Sequence, residues 1–316
     1  MTVAIIGGGP AGLNAALVLA RAKHRVLLFD SGNPRNAVTR KMHGFITREG
    51  VAPAQFRRLA NQELSLFPGV KRYRTTIQYI ERLADGSFTL TTNGGKRIKA
   101  HQILLATGLK EALPNVPGIS RYYGRSLFSC PYCDGYELID RPLAIITEGR
   151  NAVSLAATIS QWSDKLHLFT NGKVNLSSEE VQMLRQMGVK LHTLPITALV
   201  GKQGKLSAIV TADGERVRCS GGFISPYWQH AGLLAQQLGC KLAAHGGIWQ
   251  DGRGRSSVAG VYVAGDVSNV SPAQAVLAAG DGVRAAISLN QDIIQGRLNA
   301  HAAVIRGFGS PPPSSR

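Results

Sequence analysis

An α/β fold with two parallel-sheet domains is what the sequence predicts, and three observations carry the prediction. The β-branched run at residues 2–6 passes through Gly7-Gly8-Gly9-Pro10-Ala11-Gly12 into an Ala/Leu-rich helix and a second apolar strand, the βαβ order of a parallel sheet. Strand, turn, helix and strand return at residues 143–147, 153–162 and 166–170, with a further strand at 190–194. Length and composition agree: 316 residues make about two domains at roughly 150 residues each, and 44% hydrophobic residues with 36 Gly and 14 Pro can fill two cores.

Composition also removes classes. Four cysteines in a chain of this length make no disulfide scaffold. The 36 Lys and Arg against 19 Asp and Glu give +17, so an electrostatically steered partner would be acidic. Nucleic acid gets no support in that role: there is no Lys/Arg run, no finger-type zinc spacing and no basic strand interleaved with aromatics. The charge is uneven, with 19 Lys/Arg and 6 Asp/Glu in residues 21–125, a net +13, against +4 in residues 126–316. A docking face or a merely solvated face would each give that imbalance. Residues 3–20 are uncharged and largely apolar, but no basic stretch precedes them and Gly7-Gly8-Gly9-Pro10 interrupts them. They read as strand, turn and buried helix. The protein is therefore expected to be soluble and cytoplasmic, where a close cysteine pair is more often catalytic than structural.

The 7–12 loop is Gly-x-Gly-x-x-Gly in its required setting, and the strand after its helix ends in Asp30, about twenty residues on. Gly7 permits a tight turn, Gly9 lets the backbone approach a pyrophosphate, and Gly12 lets the helix pack on the strand. Pro10 and Ala11 open the helix, whose positive end would face that anion. Asp30 can accept hydrogen bonds from a ribose diol. Together these features point to a bound adenine dinucleotide, where a glycine turn alone would only pack a βαβ unit. Two later apolar runs end in comparable punctuation, Ile103-Leu104-Leu105-Ala106-Thr107-Gly108 and Val261-Tyr262-Val263-Ala264-Gly265-Asp266.

The most informative stretch is Cys130-Pro131-Tyr132-Cys133-Asp134-Gly135. Two thiols separated by two residues can close a small disulfide ring, and a helix start lowers a thiolate pKa. The rival is a metal, but a structural zinc site needs four ligands. Cys219 and Cys240 are single and distant, and His101 and His192 lack ligand spacing. No metal site is expected, and Cys219 and Cys240 are expected to be small buried residues.

With these motifs in this order, the chain resembles the low-molecular-weight thioredoxin reductases over nearly their whole length. The resemblance implies FAD as the dinucleotide, held by Gly7, Gly9, Pro10, Ala11, Gly12 and Asp30, with Thr107 and Gly108 beside it. Gly265 and Asp266 would meet the ribityl chain, and Gln274 and Ala275 the flavin pyrimidine edge. It implies a homodimer whose subunits contain two Rossmann-like three-layer ββα domains. The FAD domain, residues 1–113 and 244–316, is split around a central redox domain at 118–243. Roles follow as well: Cys133 next to the flavin, Cys130 as the interchange thiol, and Asp134 as acid/base unless it only caps a turn. His43, in Arg40-Lys41-Met42-His43-Gly44-Phe45, is a candidate flavin contact or a packed residue. Trp228 and His230 line a groove or fill a hinge, and Phe308 either covers the flavin face, as a C-terminal aromatic does in some nucleotide-independent relatives, or frays with the Gly/Pro/Ser-rich tail.

The central domain departs from members that use NADPH. After the strand at 143–147 comes Glu148-Gly149-Arg150-Asn151-Ala152-Val153, with one glycine where three are needed and an acid where a pyrophosphate would approach. After the strand at 166–170 comes Asn171-Gly172-Lys173-Val174-Asn175, without an arginine pair for a 2′-phosphate. The expectation is a retained Rossmann-like fold with a degenerate NADPH-type site, a residual use of NADH being the bland alternative. Members of this kind that take electrons singly from ferredoxin, a strongly acidic protein, would suit the basic segment at 21–125. The expected function is FAD-dependent disulfide reduction, through Cys133 and Cys130 to a thioredoxin-type disulfide, fed by ferredoxin. An oxygen-dependent flavin oxidase of a small dithiol and a non-catalytic flavin-binding redox sensor are the alternatives.

Overall fold

A computed structural model describes residues 1–230, 233–268 and 273–307, which group into two compact units. The first contains Met1–Gly32, Ala60–Gly108 and the described residues from 233 onward. Its five-stranded sheet runs in the order Val261–Val263, Gln102–Leu105, Thr2–Ile6, Arg25–Phe29 and Val70–Tyr73, every pair parallel. Parallel strands are covered on both faces, which is why they read as near-continuous apolar runs. Ala4, Ile6, Leu27 and Phe29 alternate onto one face and share a core with Ile77, Ile80, Phe88 and Leu90. Those partners belong to an antiparallel sheet of Ile77–Arg82, Phe88–Thr92 and Arg97–Ala100. Ile5 turns to the opposite face, toward the Pro10–Arg21 helix, where a Cβ on Gly12 would lie 3.3 Å from its Cγ2. The Ala275–Gly307 helix crosses that helix closely, since a Cβ on Gly282 would sit 2.1 Å from the Ala11 carbonyl oxygen.

The second unit contains Asn33–Leu59 and Leu109–His230. Its parallel sheet is ordered Lys190–His192, Leu166–Phe169, Leu143–Ile146, Gly221–Ile224 and Leu127–Phe128. Ala144, Ile146 and Phe169 pack with Ile196, Leu206, Ile209 and Val217 of an antiparallel sheet of Ile196–Lys202, Lys205–Thr211 and Arg216–Arg218. Leu143 and Ile145 take the other face, with Ala152, Ala156 and Ile159 of the Ala152–Ile159 helix and Leu184 of Ser178–Gln186. The latter helix opens on a capping box between Ser177 and Glu180. A separate antiparallel pair joins Leu109–Ala112 to Tyr227–His230, with Trp228 opposite Glu111.

Each unit is thus antiparallel sheet, parallel sheet and helices, the three-layer ββα class that the sequence predicts. No described helix is long and apolar enough to cross a membrane.

Candidate active site

In the first unit the expected nucleotide residues gather at the carboxyl ends of the parallel strands, where ligands of open α/β sheets bind. Gly7 follows Thr2–Ile6, Asp30 follows Arg25–Phe29, Thr107 and Gly108 come just after Gln102–Leu105, and Gly265 and Asp266 come just after Val261–Val263. The loop glycines have different physical reasons. Gly7 has a φ of +117°, and a Cβ there would lie 2.0 Å from the Ala106 carbonyl oxygen. A Cβ on Gly12 would lie 1.9 Å from the Gly7 oxygen, whereas one on Gly9 would meet nothing within 4 Å. The loop is closed toward the sheet and open at Gly9, the shape a diphosphate needs to approach backbone. Gly9 caps the Pro10–Arg21 helix without a side chain, and the first intrahelical bond runs from Leu13 N to Gly9 O at 3.0 Å. The Ala11 and Gly12 N–H groups lie ahead of it, at the positive end of the helix.

Asp30 Oδ1 accepts a 3.0 Å hydrogen bond from Gly32 N, which aims the carboxylate at the loop. A Cβ on Gly8 would come within 2.4 Å of Asp30 Cγ, so Gly8 is required by the acid rather than by the turn. The sequence reading missed that role because Gly8 occupies a motif position open to any residue. Gln274 and Ala275 are half-buried at the start of the last helix, where Ala278 N donates to Gln274 O at 3.0 Å. These features fit a dinucleotide such as FAD.

In the second unit, Cys130 and Cys133 form a disulfide, with Cα atoms 5.3 Å apart. Cys130 caps the short Pro131–Asp134 helix, and its sulfur accepts from Cys133 N at 3.2 Å, a bond that would favour a thiolate there. Trp162 supports this turn: a Cβ on Gly135 would strike its ring at 2.7 Å, and Tyr132 meets it edge-on at 5.4 Å. Burial pushes the Asp134 carboxyl up to about 7, with His43 opposing the shift and Glu137 adding to it. His43 falls in this unit. Its Nδ1 is 2.5 Å from Glu49 Oε1 and its Nε2 is 3.5 Å from Glu137 Oε1. The sequence singled out neither carboxylate.

A second network reaches the residue before the disulfide. Glu111 pairs with Arg35 at 2.7 Å and accepts hydrogen bonds from Tyr123 and Ser129. Arg35 also lies 5.5 Å from the centre of the ring of Trp228, which pairs with Glu111 across the Leu109–Ala112 and Tyr227–His230 strands. The His230 side chain and Phe308 lie outside the described residues. Cys219 and Cys240 are buried free thiols, and burial pushes Cys219 up to about 12. Among the described residues, no group of three or more His, Cys, Asp or Glu is placed to hold a metal ion.

The loop after Leu143–Ile146 corresponds to the 7–12 loop and is filled by side chains. Glu148 Oε1 accepts from Asn171 Nδ2 at 2.6 Å, and Oε2 accepts from Tyr227 OH at 2.9 Å. Asn171 is buried at a φ of +51°, and its Oδ1 accepts from Ile196 N at 2.8 Å. Thr147 and Asn151 close the remainder: Thr147 Oγ1 donates to Asn151 Oδ1 at 3.1 Å and accepts from Gly149 N at 3.2 Å. The Glu148 carboxylate thus ties the loop to Asn171 and Tyr227.

Comparison with known proteins agrees with this geometry. Residues 1–282 match the family described as pyridine nucleotide-disulphide oxidoreductase. The "Probable thioredoxin reductase" of Arthroderma benhamiae is 30% identical over 328 residues, covering 94% of this chain and 81% of that protein. The crystal structure of TrxB from Bacillus anthracis superposes with a TM-score of 0.91 at 39% identity, covering 94% of this chain and 99% of that one. The crystal structure of HlmI gives a TM-score of 0.93 at 34% identity, with 98% of each chain covered.

Proposed function

Because the chain belongs to the pyridine nucleotide-disulphide oxidoreductase family and is a thioredoxin-reductase-like, FAD-dependent disulfide oxidoreductase, we propose that it reduces a thioredoxin-type disulfide without using NADPH. The observation that carries this reading is the Glu148 carboxylate, tied by Asn171 and Tyr227 across the mouth of the second loop. An anion there repels a pyrophosphate, and the loop's polar groups already bond to one another. The strand ending at Phe169 leads into Thr170, Asn171, Gly172 and Lys173, without an arginine pair to grip a 2′-phosphate.

FAD would be held by Gly7, Gly9, Pro10, Ala11 and Gly12, with Asp30, Thr107, Gly108, Gly265, Asp266, Gln274 and Ala275 around it. When bound, it accepts electrons singly and supplies them in pairs to a disulfide. The protein's own residues do the rest. Cys130 attacks the substrate disulfide, Cys133 resolves the mixed disulfide, and Asp134 holds or releases the proton that accompanies each thiol. A carboxyl near pH 7 suits that work, because general acid–base efficiency peaks when pKa matches working pH.

The donor in this reading is an acidic one-electron protein such as ferredoxin. The +13 carried by residues 21–125 supports it, since opposite charge speeds encounter and makes it salt-sensitive. The reading also includes the homodimer, checked by light scattering. The test is thioredoxin reduction driven by reduced ferredoxin, with dithionite, a small anion that has no docking surface, as the control. Added salt should slow the ferredoxin reaction several-fold more than the dithionite reaction. Equal sensitivity would return the charge to a solvated face. Oxygen uptake with small dithiols, without thioredoxin turnover, would reverse the direction of flow and favour the dithiol oxidase.

A further inference from the structure

We propose that Glu111 is a positioning residue for the interchange thiol: through Ser129 it holds Cys130 where the Cys133 N–H can stabilise a thiolate. The role rests on the reading of Cys130 as the thiol that attacks substrate. Ser129 is the one residue between the Leu127–Phe128 strand and Cys130, the cap of the Pro131–Asp134 helix. Its hydroxyl oxygen lies 3.3 Å from Glu111 Oε1 and 3.2 Å from the Tyr123 hydroxyl oxygen. The Cys130 sulfur in turn accepts from Cys133 N at 3.2 Å. One side-chain contact and one peptide bond therefore join Glu111 to the residue that must ionise. An N–H aimed at sulfur favours the thiolate over the thiol, so slack at Ser129 is felt in the thiol pKa.

Glu111 is itself fixed from several sides. Its side chain is only 7% exposed and takes three donors: Arg35 Nη1 at 2.7 Å, the Tyr123 hydroxyl and Ser129. Burial, with the charge of Glu111 adding to it, pushes the Tyr123 hydroxyl up, so it remains a donor. The backbone of Glu111 is paired opposite Trp228, whose ring centre lies 5.5 Å from the Arg35 guanidinium. Arg35 opens the Arg35–Val38 turn, which passes so close to Gly124 that a Cβ there would sit 2.3 Å from the Val38 oxygen. A buried ion pair is by itself weak support for stability, and Arg35 alone would complete one. The two hydroxyls extend the pair into a clamp on the residue before the thiol, and a satisfied network of this kind rigidifies what it holds.

The experiment takes FAD-containing protein, reduced with dithionite and freed of excess reductant. It follows iodoacetamide alkylation of Cys130 across pH, with the modified cysteine identified by mass spectrometry. Ser129→Ala should keep its FAD and move the limb at which Cys130 becomes reactive to higher pH. Alkylation at neutral pH should slow on the order of tenfold, the weaker end of what a hydrogen bond to a charged group contributes. Glu111→Gln should move the limb in the same direction. The double variant should be no slower than the slower single one, because both act through one contact. Asp134 and the two groups whose charges act on it, His43 and Glu137, are the same in every variant and do not supply the shift.

A direct field from the Glu111 carboxylate would do the reverse. Losing that anion in Glu111→Gln would lower the limb, and Ser129→Ala would leave it in place; that pattern overturns the clamp. A lowered melting temperature with an unmoved limb in Ser129→Ala overturns it too, as does a double variant slowed by the product of the single effects. If Glu111→Gln does not fold, Ser129→Ala decides, and a wild-type limb rejects the clamp. Alkylation needs no turnover, so protein that reduces no thioredoxin still tests the clamp by its limb. Labelling of Cys133 in place of Cys130 in the wild type would instead remove the reading of Cys130, and this role of Glu111 with it.

Discussion

After its central parallel strand, each unit turns toward a helix through a short loop, and the two loops are finished in opposite ways. The first is pressed against backbone at Gly7 and Gly12 and left open at Gly9. The second has no backbone neighbour within 4 Å of a Cβ on Gly149, only the Asn151 and Thr147 side chains at 3.2 and 3.7 Å, and Glu148 spans it to Asn171 and Tyr227. Sheet order, layer order and the alternation of strand residues between two cores are nevertheless shared. Fold and ligand are therefore specified by separable residues: apolar strand positions fix the layers, and a handful of loop atoms decide which anion can approach.

The largest expected break in this comparison is a matched pair of methyl groups. Gly12→Ala places a carbon 1.9 Å from the Gly7 oxygen, so backbone must move; it should lose FAD and about 3 kcal/mol of stability. Gly149→Ala meets a movable side-chain oxygen at 3.2 Å and should cost under about 1 kcal/mol with full FAD content. Flavin absorbance per chain and thermal unfolding check both. Equal effects would mean that the two loops are not distinguished by packing.

A smaller effect marks where the second unit keeps its titrating chemistry. Asp134 is raised to about 7 from 3.8, chiefly by burial, so the folded state prefers its neutral form. Stability should fall as pH rises from about 4 to about 7 and stay reduced above that, because the unfolded chain ionises first. Asp134→Asn should therefore exceed wild type at pH 8 by about 2 kcal/mol, half the maximum for such a shift given partial burial, and match it at pH 4. Chemical denaturation at the two pH values decides, and a constant difference would contradict the burial argument.

The smallest effect sharpens the comparison most. Glu148→Ala leaves the buried Asn171 amide and the Tyr227 hydroxyl without their shared acceptor, at a cost of about 1–2 kcal/mol. It should admit dinucleotides weakly, with little preference for NADPH over NADH, since the loop after Phe169 offers Lys173 and no arginine pair to a 2′-phosphate. Titration calorimetry with both nucleotides checks this, and a strong NADPH preference would reveal a determinant elsewhere.

Much of the first loop was legible because its constraints are local: turn, helix start and close packing fall within six residues, and Asp30 closes the next strand. The cysteine pair and the helix that Cys130 caps were legible for the same reason. Glu148 could be read as an obstacle, but not its anchoring, because Asn171 and Tyr227 lie 23 and 79 residues away. Likewise Gly8 answers to Asp30, and Gly282 answers to Ala11, through contacts that no local pattern announces. His43 stood out as a lone histidine, but its two carboxylates depend on a closed loop and on a helix far along the chain. Segment Asn33–Leu59 groups with the second unit although the chain on either side of it belongs to the first, and no composition shift marks that.

The central claim is that the first loop serves a flavin while the second no longer serves NADPH. Anaerobic mixing of the yellow protein with NADPH, NADH and reduced ferredoxin, followed at the flavin absorbance, tests it most directly. The account predicts bleaching by reduced ferredoxin and none by either nucleotide on the same timescale. Rapid bleaching by NADPH would contradict it.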